Sequence, residues 1–280
     1  MATTNENLKS EIPSSFTFSQ SSLQAYRECP RRFQLRYIEQ LAWPAVETEP
    51  VLENERRQQE GQLFHRLVQQ RRLGLPVEKL TRLAAGPDLM RWWKNYLDQD
   101  FDIDGYAQHA ELTLLAPLAG HRLVAKYDLV AIKPGQKAII FDWKTYHKRP
   151  KDEWMAARLQ TLVYPALLVQ AGAFLNDTQP VRPEQIEMIY WYADFPNEPA
   201  RFSYTASKYK RDWDVLTGLV SEILHHRHFP LTEDAKKCAF CSYRSYCNRG
   251  EKAGELEGLD LETELAGIEI NFEQIAEIEY

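Results

Sequence analysis

The sequence predicts an α/β fold in which a mixed central sheet is flanked by helices, and three observations carry that prediction. Helical patterns dominate residues 19–97. Three consecutive strand patterns joined by tight turns fill 110–146, and helix and strand then alternate as far as residue 226. With 280 residues, 44% of them apolar, the chain is long enough for one large core and does not need a second domain.

In chain order, Ser19 or Ser21 can cap a short helix through Tyr26 and Arg27, which Cys29-Pro30 interrupts. A second helical run covers 31–37 after the proline. Two prolines and the lack of any period make 41–51 a loop. Residues 53–73 form a long helix with Leu63, Phe64, Leu67 and Val68 on its buried side, and the tryptophan-rich stretch 88–97 forms another. The runs 110–118, 122–133 and 137–146 are rich in β-formers and are broken at Ala119-Gly120 and Pro134-Gly135, so they read as a three-strand meander. Residues 153–170 read as one helix, 185–193 and 200–204 as strands, and 210–226 as a last helix. Residues 1–15 are expected to be a disordered N-terminus, 16–250 the folded domain and 251–280 an acidic tail.

Met1 to Ser15 is polar and carries acids as well as lysine, so it does not read as a secretory signal. The longest apolar stretch, 162–169, falls far short of the ~20 residues that a membrane-spanning helix needs. A soluble cytoplasmic protein with no membrane partner is the expectation. The net charge of −6 is unevenly spread: residues 251–280 hold ten acids and one base, or −9, which leaves +3 for the first 250. A mildly basic body can bind DNA, because local positive surface decides contact with phosphate. In the tail, Phe272, Ile275, Ala276 and Ile278 recur at roughly helical spacing, which suits docking on a partner or on the body, where the tail would mask a DNA groove.

The third predicted strand ends Ile-Ile-Phe-Asp-Trp-Lys-Thr over 139–145, and alternation puts Ile140, Asp142 and Lys144 on one face. The preceding strand carries Asp128. Adjacent strands would bring Asp128 and Asp142 close enough to share a divalent cation, and oxygen ligands of this kind suit magnesium or manganese. Lys144 would then stabilise developing phosphate charge, or orient and deprotonate an attacking water. Read alone, a buried Asp-x-Lys is more often a structural ion pair. Two further patterns bear on it. Gln160 and Tyr164, four apart, share a helix face, and Gly61 and His65 are four apart on the long helix, the glycine leaving room for close approach beside the imidazole.

Cys238, Cys241 and Cys247 form a C-x2-C-x5-C run, and Cys29 lies 209 residues upstream. Four cysteines without a secretory signal point to metal ligation before disulfides. Structural zinc usually takes two close ligand pairs, so one remote cysteine plus three is less typical of it, while four thiolates suit a 4Fe–4S cluster equally well. Coordination chemistry leaves the two open. His225, His226 and His228, just upstream, read as favourable cations at a helix C-terminus.

Taken together and in order, Gly61-x-x-x-His65, Asp128, Asp142-x-Lys144-Thr145 and Gln160-x-x-x-Tyr164 resemble the PD-(D/E)XK nucleases. The closest branch is the RecB-like one, with the nuclease domains of RecBCD and AddAB and the CRISPR-associated exonucleases. The likeness covers residues 16–250. It implies a restriction-endonuclease-like fold in which His65, Asp128 and Asp142 ligate Mg²⁺ or Mn²⁺, helped by the Trp143 carbonyl. It also implies Lys144 as the catalytic lysine, and Gln160 and Tyr164 as residues that support the site and contact DNA. Glu111 stands in the strand before that of Asp128, where related proteins often carry an acid. Many relatives place a glycine shortly before the motif Asp; here 124–127 is Val-Ala-Lys-Tyr, with Lys126 on the face of Asp128 and in a position to contact phosphate. Leu23-x-x-Tyr26-x-x-Cys29-Pro30-x-x-Phe33, with the later cysteine run, resembles the iron–sulfur arrangement of the AddB-type and CRISPR-associated exonucleases. That implies a 4Fe–4S cluster on Cys29, Cys238, Cys241 and Cys247, closing a very long loop and joining the N- and C-terminal segments.

Lys148, Arg149 and Lys151 follow directly from the predicted catalytic strand, with Tyr146 and His147 among them. Arg31, Arg32 and Arg36 flank Cys29, and Lys208, Tyr209, Lys210 and Arg211 begin the last helix. Basic residues interleaved with aromatics fit a groove that holds phosphates and stacks unpaired bases, and the run after Lys144 is favoured because it adjoins the site. The expected function is metal-dependent hydrolysis of DNA, by resemblance as an exonuclease on single-stranded ends in repair, recombination or CRISPR-type processing. A helicase or a CRISPR-associated protein is the kind of partner the resemblance admits. One alternative is a noncatalytic DNA-binding or scaffold subunit of a helicase–nuclease complex, against which intact Asp128, Asp142 and Lys144 argue. Another is a redox protein, for which the sequence offers no second cluster and no flavin- or nucleotide-binding glycine loop.

Overall fold

The computed structural model describes residues 11–42, 51–238 and 241–250, with backbone alone for 51–55, 57 and 58. Residues 1–10, most of the expected loop over 41–51, residues 239–240 and the acidic tail with its helical stretch at 271–280 lie outside the described residues. The elements run β1 (Thr17–Ser19), α1 (Gln20–Glu28), α2 (Pro30–Phe33) with a π-helical turn (Gln34–Ile38), α3 (Val51–Arg72), α4 (Val77–Thr81), α5 (Pro87–Asp98) and β2 (Ala107–Leu118). There follow β3 (His121–Lys133), β4 (Lys137–Lys144), α6 (Asp152–Ala156), α7 (Leu159–Ala171), β5 (Ile186–Tyr192), β6 (Phe195–Ser203) and α8 (Ala206–His225).

Local chemistry explains most boundaries. Ser19 caps α1 reciprocally with Ser22: the Ser22 N–H donates to Ser19 Oγ at 3.2 Å and the Ser19 N–H to Ser22 Oγ at 2.9 Å. Pro30 opens α2 at a position where its missing N–H costs nothing. The expected single helix over 153–170 is two: α6 ends at Ala156, Arg158 is extended (φ −68°, ψ 144°), and α7 starts at Leu159. Strand β6 begins at Phe195, earlier than expected, because only Ala193 and Asp194 separate it from β5.

The six strands form one mixed sheet. Strand β2 pairs antiparallel along β3, from Ala107 opposite Ile132 to Leu118 opposite His121. On the other side of β3, β1 pairs in parallel with 122–124 and β4 pairs antiparallel with 129–133. Between those two partners, residues 125–128 face no described strand on that side, and the sheet opens there. Strand β5 runs parallel to β4 as far as Lys144 opposite Tyr192, and β6 closes the sheet antiparallel to β5.

Both faces of β4 and β5 are covered, which is why they read as continuous apolar runs. One face carries α1, α7 and α8 over a core that includes Phe18, Tyr26, Phe33, Tyr127, Ile140, Val163, Tyr190 and Val220. The other carries α3 and α5 over Phe64, Leu67, Trp92, Trp93, Tyr96, Phe141, Trp143 and Trp191. Three of the four members of the expected helix face, Phe64, Leu67 and Val68, are fully buried among these, and Leu63 packs at their edge.

Alternation along β3 breaks at one point. Leu123, Ala125 and Tyr127 face the α7 side, and so do Val130 and Ile132, while Leu129 and Ala131 face α3. Asp128 is where the parity changes. Its neighbour across the ladder is Glu111, which falls between the pairs Ala110–Leu129 and Leu112–Tyr127 and adopts the left-handed conformation with φ 55°. Ala110 packs on the α3 core and Leu112 on the α7 core, so both strands change face together. No helix among the described residues is long and apolar enough to cross a membrane.

Phe64 anchors the α3 layer: its ring is fully buried and lies 6.2 Å from each of the rings of Trp92, Tyr96 and Trp191. Phe64→Ala is expected to lower unfolding free energy by about 3–5 kcal/mol, read as a fall in the urea midpoint. A loss below ~1 kcal/mol would mean that this layer is not packed as described.

Candidate active site

The site forms where β3 and β4 part. Their ladder ends with Leu129 opposite Phe141, and beyond it the side chain of Asp128 takes the place of a strand partner: Oδ2 accepts the Trp143 N–H at 2.8 Å. The second oxygen of Asp128 lies 3.2 Å from His65 Nδ1. His65 reaches the strand because α3 packs closely here. A Cβ on Gly61, one turn earlier, would stand 3.2 Å from Thr145 Oγ1, a contact tighter than most side chains tolerate. The glycine in Gly61-x-x-x-His65 therefore sets the approach of the helix to the end of β4.

On the α7 face, Asp142, Lys144 and Gln160 form a closed ring of polar groups, each under 7% exposed. Lys144 Nζ is 2.9 Å from Asp142 Oδ2; Gln160 Nε2 donates to Asp142 Oδ1 at 2.5 Å; and Gln160 Oε1 accepts from Lys144 Nζ at 3.1 Å. Each member meets the other two, the Lys144–Asp142 side as an ion pair in which Asp142 Oδ2 accepts no hydrogen bond among the described residues. The lysine also lies 5.6 Å and 5.9 Å from the ring centres of Tyr190 and Tyr146.

The charges of these groups act on one another. Burial alone would lower the His65 pKa, but the charge and hydrogen bond of Asp128, with the charge of Asp142, more than reverse this and raise it. Burial would raise Asp128; the charge and hydrogen bond of His65, the Trp143 N–H and the charge of Lys144 hold it below the usual carboxylate range. The expected set His65, Asp128, Asp142, Lys144 and Gln160 is thus brought together from α3, β3, β4 and α7.

Tyr164 is placed behind this set. Its hydroxyl donates to the Lys126 carbonyl at 2.8 Å, and its own carbonyl accepts from the Tyr127 hydroxyl at 2.9 Å. It braces β3 two residues before Asp128. Lys126, expected on the face of Asp128, is an exposed side chain paired with Glu111 Oε2 at 2.6 Å across the β2–β3 ladder. Of the basic run after β4, Lys148 and Lys151 are exposed. Arg149 is a strut: it donates to Glu198 O at 2.7 Å, Pro150 O at 3.1 Å and Asp152 Oδ1 at 2.6 Å, and lies over the Tyr192 ring.

Sequence reasoning missed Asp194, in the turn between β5 and β6. Its carboxylate accepts from Arg91 Nε at 2.8 Å and Trp92 Nε1 at 2.9 Å, both on α5, and lies 2.9 Å from His147 Nδ1 in the segment that follows β4. Alongside it, Ala193 N donates to Lys144 O at 2.8 Å and Asn95 Nδ2 to Ala193 O at 2.8 Å. The chain leaving Lys144 is clamped to α5 through this turn. A two-residue link after a tyrosine-rich strand was the sole local signal.

The four cysteines are free of disulfides; Cys29 and Cys238 are buried and Cys241 and Cys247 half-buried. Burial and the charges of Cys241, Cys29 and Cys238 push the Cys247 thiol up to about 12. Cys238 and Cys241 are raised first by burial, with Cys29 adding to both. Four thiols from the two ends of the chain thus share one neighbourhood. Backbone and side chains hold it: Arg31 N donates to Pro230 O at 3.1 Å, Tyr243 Oη to Leu41 O at 3.0 Å, and Tyr26 Oη to Glu222 Oε1 at 2.8 Å. His226 Nδ1 lies 2.7 Å from the same Tyr26 hydroxyl, so this histidine contributes to the junction as well as to the end of α8. Among the described residues, no three His, Cys, Asp or Glu side chains are drawn together closely enough to hold an ion as they stand.

Residues 17–248 match the PD-(D/E)XK nuclease superfamily, and the chain belongs to it. Two solved structures are similar to this chain. One, a protein designated SSO0001, is 12% identical, with a TM-score of 0.42 over 85% of this chain and 88% of its own. The other, a candidate exonuclease from Eubacterium rectale, is 10% identical, with a TM-score of 0.44 over 81% and 87%. No curated protein matches.

Asp194 gives a pH-dependent test of the clamp. Burial would raise its pKa, but the hydrogen bonds of His147 and Arg91, the charge of Arg91 and the Trp92 N–H hold it below the usual range. A depressed carboxylate contributes stability above its unfolded pKa of ~3.9 and loses that contribution as pH falls through the folded value. Asp194→Asn should therefore cost about 1.5–3 kcal/mol at neutral pH, with the gap to wild type closing below ~pH 4 in denaturant titrations. A gap that is independent of pH would contradict a role for the charge.

Proposed function

We propose that the protein is a metal-dependent deoxyribonuclease that hydrolyses phosphodiester bonds, acting as an exonuclease on single-stranded DNA ends. The observation that carries this reading is the closed Asp142–Lys144–Gln160 ring, at 2.5–3.1 Å, set beside the Asp128–His65 pair. A purely structural ion pair would need no second carboxylate and no imidazole at its side.

Asp128, Asp142 and His65, with the Trp143 carbonyl, are the residues that would hold Mg²⁺ or Mn²⁺. The donor set fits: two carboxylates of a hard-ligand type, one with its pKa held down, and an imidazole one side chain away. Such an ion polarises the phosphate and lowers the pKa of bound water. Lys144 supplies a fixed positive charge toward the developing charge on phosphorus-bound oxygen, and its hold on Asp142 keeps that carboxylate oriented. Gln160 and Tyr164 support the site, the first by bonding both charged partners and the second by bracing β3. Lys148 and Lys151 supply exposed charge for the DNA backbone beside it, with Arg149 fixing the segment that carries them.

The four cysteines are proposed to hold a 4Fe–4S cluster, with Zn²⁺ as the alternative. Four thiols free of disulfides, contributed by the two ends of the chain, suit either a cluster or a zinc ion, and Arg32, Arg31, Arg244 and Arg249 act against the thiols' raised pKa values. A helicase or CRISPR-associated protein is the proposed class of partner.

Two measurements test these proposals. End-labelled single- and double-stranded DNA should be cleaved with Mn²⁺ or Mg²⁺ but not with EDTA, and Lys144→Ala should reduce the rate by about 10²–10³-fold. A folded, cluster-loaded wild type that cleaves neither substrate would favour the scaffold reading. Anaerobically purified protein should contain about four iron atoms and four acid-labile sulfides per chain. One zinc ion per chain and no sulfide would establish the alternative.

A further inference from the structure

We propose that the Thr145 hydroxyl holds the substrate phosphate next to the one under attack, and that Gly61 keeps that hydroxyl uncovered. The contact rests on the nuclease reading and names which part of the substrate the site holds second, and by which group.

One phosphate fixed at a metal leaves the rest of a DNA strand free to swing, and productive attack needs the strand oriented. Hydrogen bonds to neighbouring phosphates supply that orientation, and threonine hydroxyls are among the groups that make them. The exposed Lys148 and Lys151 offer charge, but on long and flexible stems. A short, rigid donor beside the carboxylates is what they leave unfilled.

Thr145 stands in that place. It is the first residue beyond β4 and follows Lys144 directly. Trp143 lies in the α3 core, so alternation carries Thr145 to the α3 side as well. The contact with α3 agrees: a Cβ on Gly61 would stand 3.2 Å from Thr145 Oγ1. One turn further along the same helix, His65 Nδ1 lies 3.2 Å from Asp128 Oδ1. The two contact points are therefore about 6 Å apart along α3, which is close to the separation of successive phosphates on an extended strand.

The hydroxyl is also poised to bind. Thr145 is half-buried, and among the described residues its hydroxyl makes no hydrogen bond. The glycine accounts for part of this, since α3 passes the hydroxyl with backbone alone and brings no side chain to cover it. The chain on either side is held: the Lys144 carbonyl accepts the Ala193 N–H at 2.8 Å, and His147 Nδ1 lies 2.9 Å from Asp194 Oδ2. A β-branched side chain on such a backbone has few rotamers to lose, so little entropy is lost when it bonds phosphate. Packing against α3 would be served as well by valine, which has the same shape and no polar group to desolvate.

The test measures binding of short single-stranded oligonucleotides by fluorescence anisotropy, with Ca²⁺ replacing Mg²⁺ so that no turnover intervenes. Each oligonucleotide carries one uncharged methylphosphonate linkage, moved stepwise from either end. Wild type should lose most affinity with the change at one linkage, the phosphate at the carboxylates, and about 5–20-fold at a linkage next to it. In Thr145→Val that neighbouring penalty should shrink by about 5-fold or more while the other linkages keep theirs, and Thr145→Ser should restore it. Thr145→Ala gives a second hydroxyl-free variant where valine disturbs folding. Equal penalties at every linkage in wild type and in a folded hydroxyl-free variant would overturn the proposal. The two readings fail separately: a wild type that cleaves no DNA but shows the Thr145-dependent linkage supports the phosphate contact and sinks the nuclease, and an active wild type without such a linkage does the reverse.

Discussion

Two carboxylates lie on adjacent strands where their ladder ends, at the edge of a dry sheet, and everything around them answers that placement. An uncompensated buried charge costs several kcal/mol, so each acid must be met by partners that the fold delivers. Asp142 is met by Lys144 and Gln160, Asp128 by His65 and the Trp143 amide. The acids and their partners together come from four separate elements, so the site exists only once α3, β3, β4 and α7 are all in place. The near-contact of Gly61 with Thr145 and the tyrosine bracing of β3 are the packing consequences of bringing them together. The same demand explains why the ladder between β3 and β4 stops where it does: past Phe141, a side chain bonds the amide that a strand would otherwise have taken.

Much of this was legible in the sequence, because burial imposes a period. The apolar run that ends in Asp142 and Lys144 fixed a strand and the face they share, and the i, i+4 pairs Gly61/His65 and Gln160/Tyr164 fixed two helix faces. The meander turns at Ala119-Gly120 and Pro134-Gly135 were marked by their glycines, which tolerate positive φ, and Gly120 and Gly135 adopt it, with Ala119 drawn into it as well.

What could not be read arises where local preference is overridden. Strict alternation would have given every residue of β3 a fixed face, but a left-handed Glu111 and a displaced Asp128 shift both strands at once, and that change is stabilised across the ladder. The break at Arg158 hides in a stretch of good helix formers, since Leu, Ala and Arg favour continuation; local bonds to Met155 O and the tertiary contact of Thr161 with Tyr190 win instead. A three-residue strand such as β1 has too few positions to show a period. Asp194 gave no signal because its partners, Arg91, Trp92 and His147, are distant in the chain and meet only in the folded state.

The junction between Tyr26, Arg31 and Leu41 on one side and Glu222, Pro230 and Tyr243 on the other has a consequence for how the protein is made. At ~5–20 residues per second, a ribosome needs roughly 10–40 s to add the 209 residues that separate Cys29 from Cys238. For that interval the first cysteine, with Tyr26 and Phe33, waits without the segment that will cover it. The sheet and the carboxylate site can form meanwhile, since their elements lie between the two ends. Translation thus imposes an order in which the junction between the two ends is completed last, and a chain that stalls before residue 238 would carry a finished sheet beside one exposed thiol.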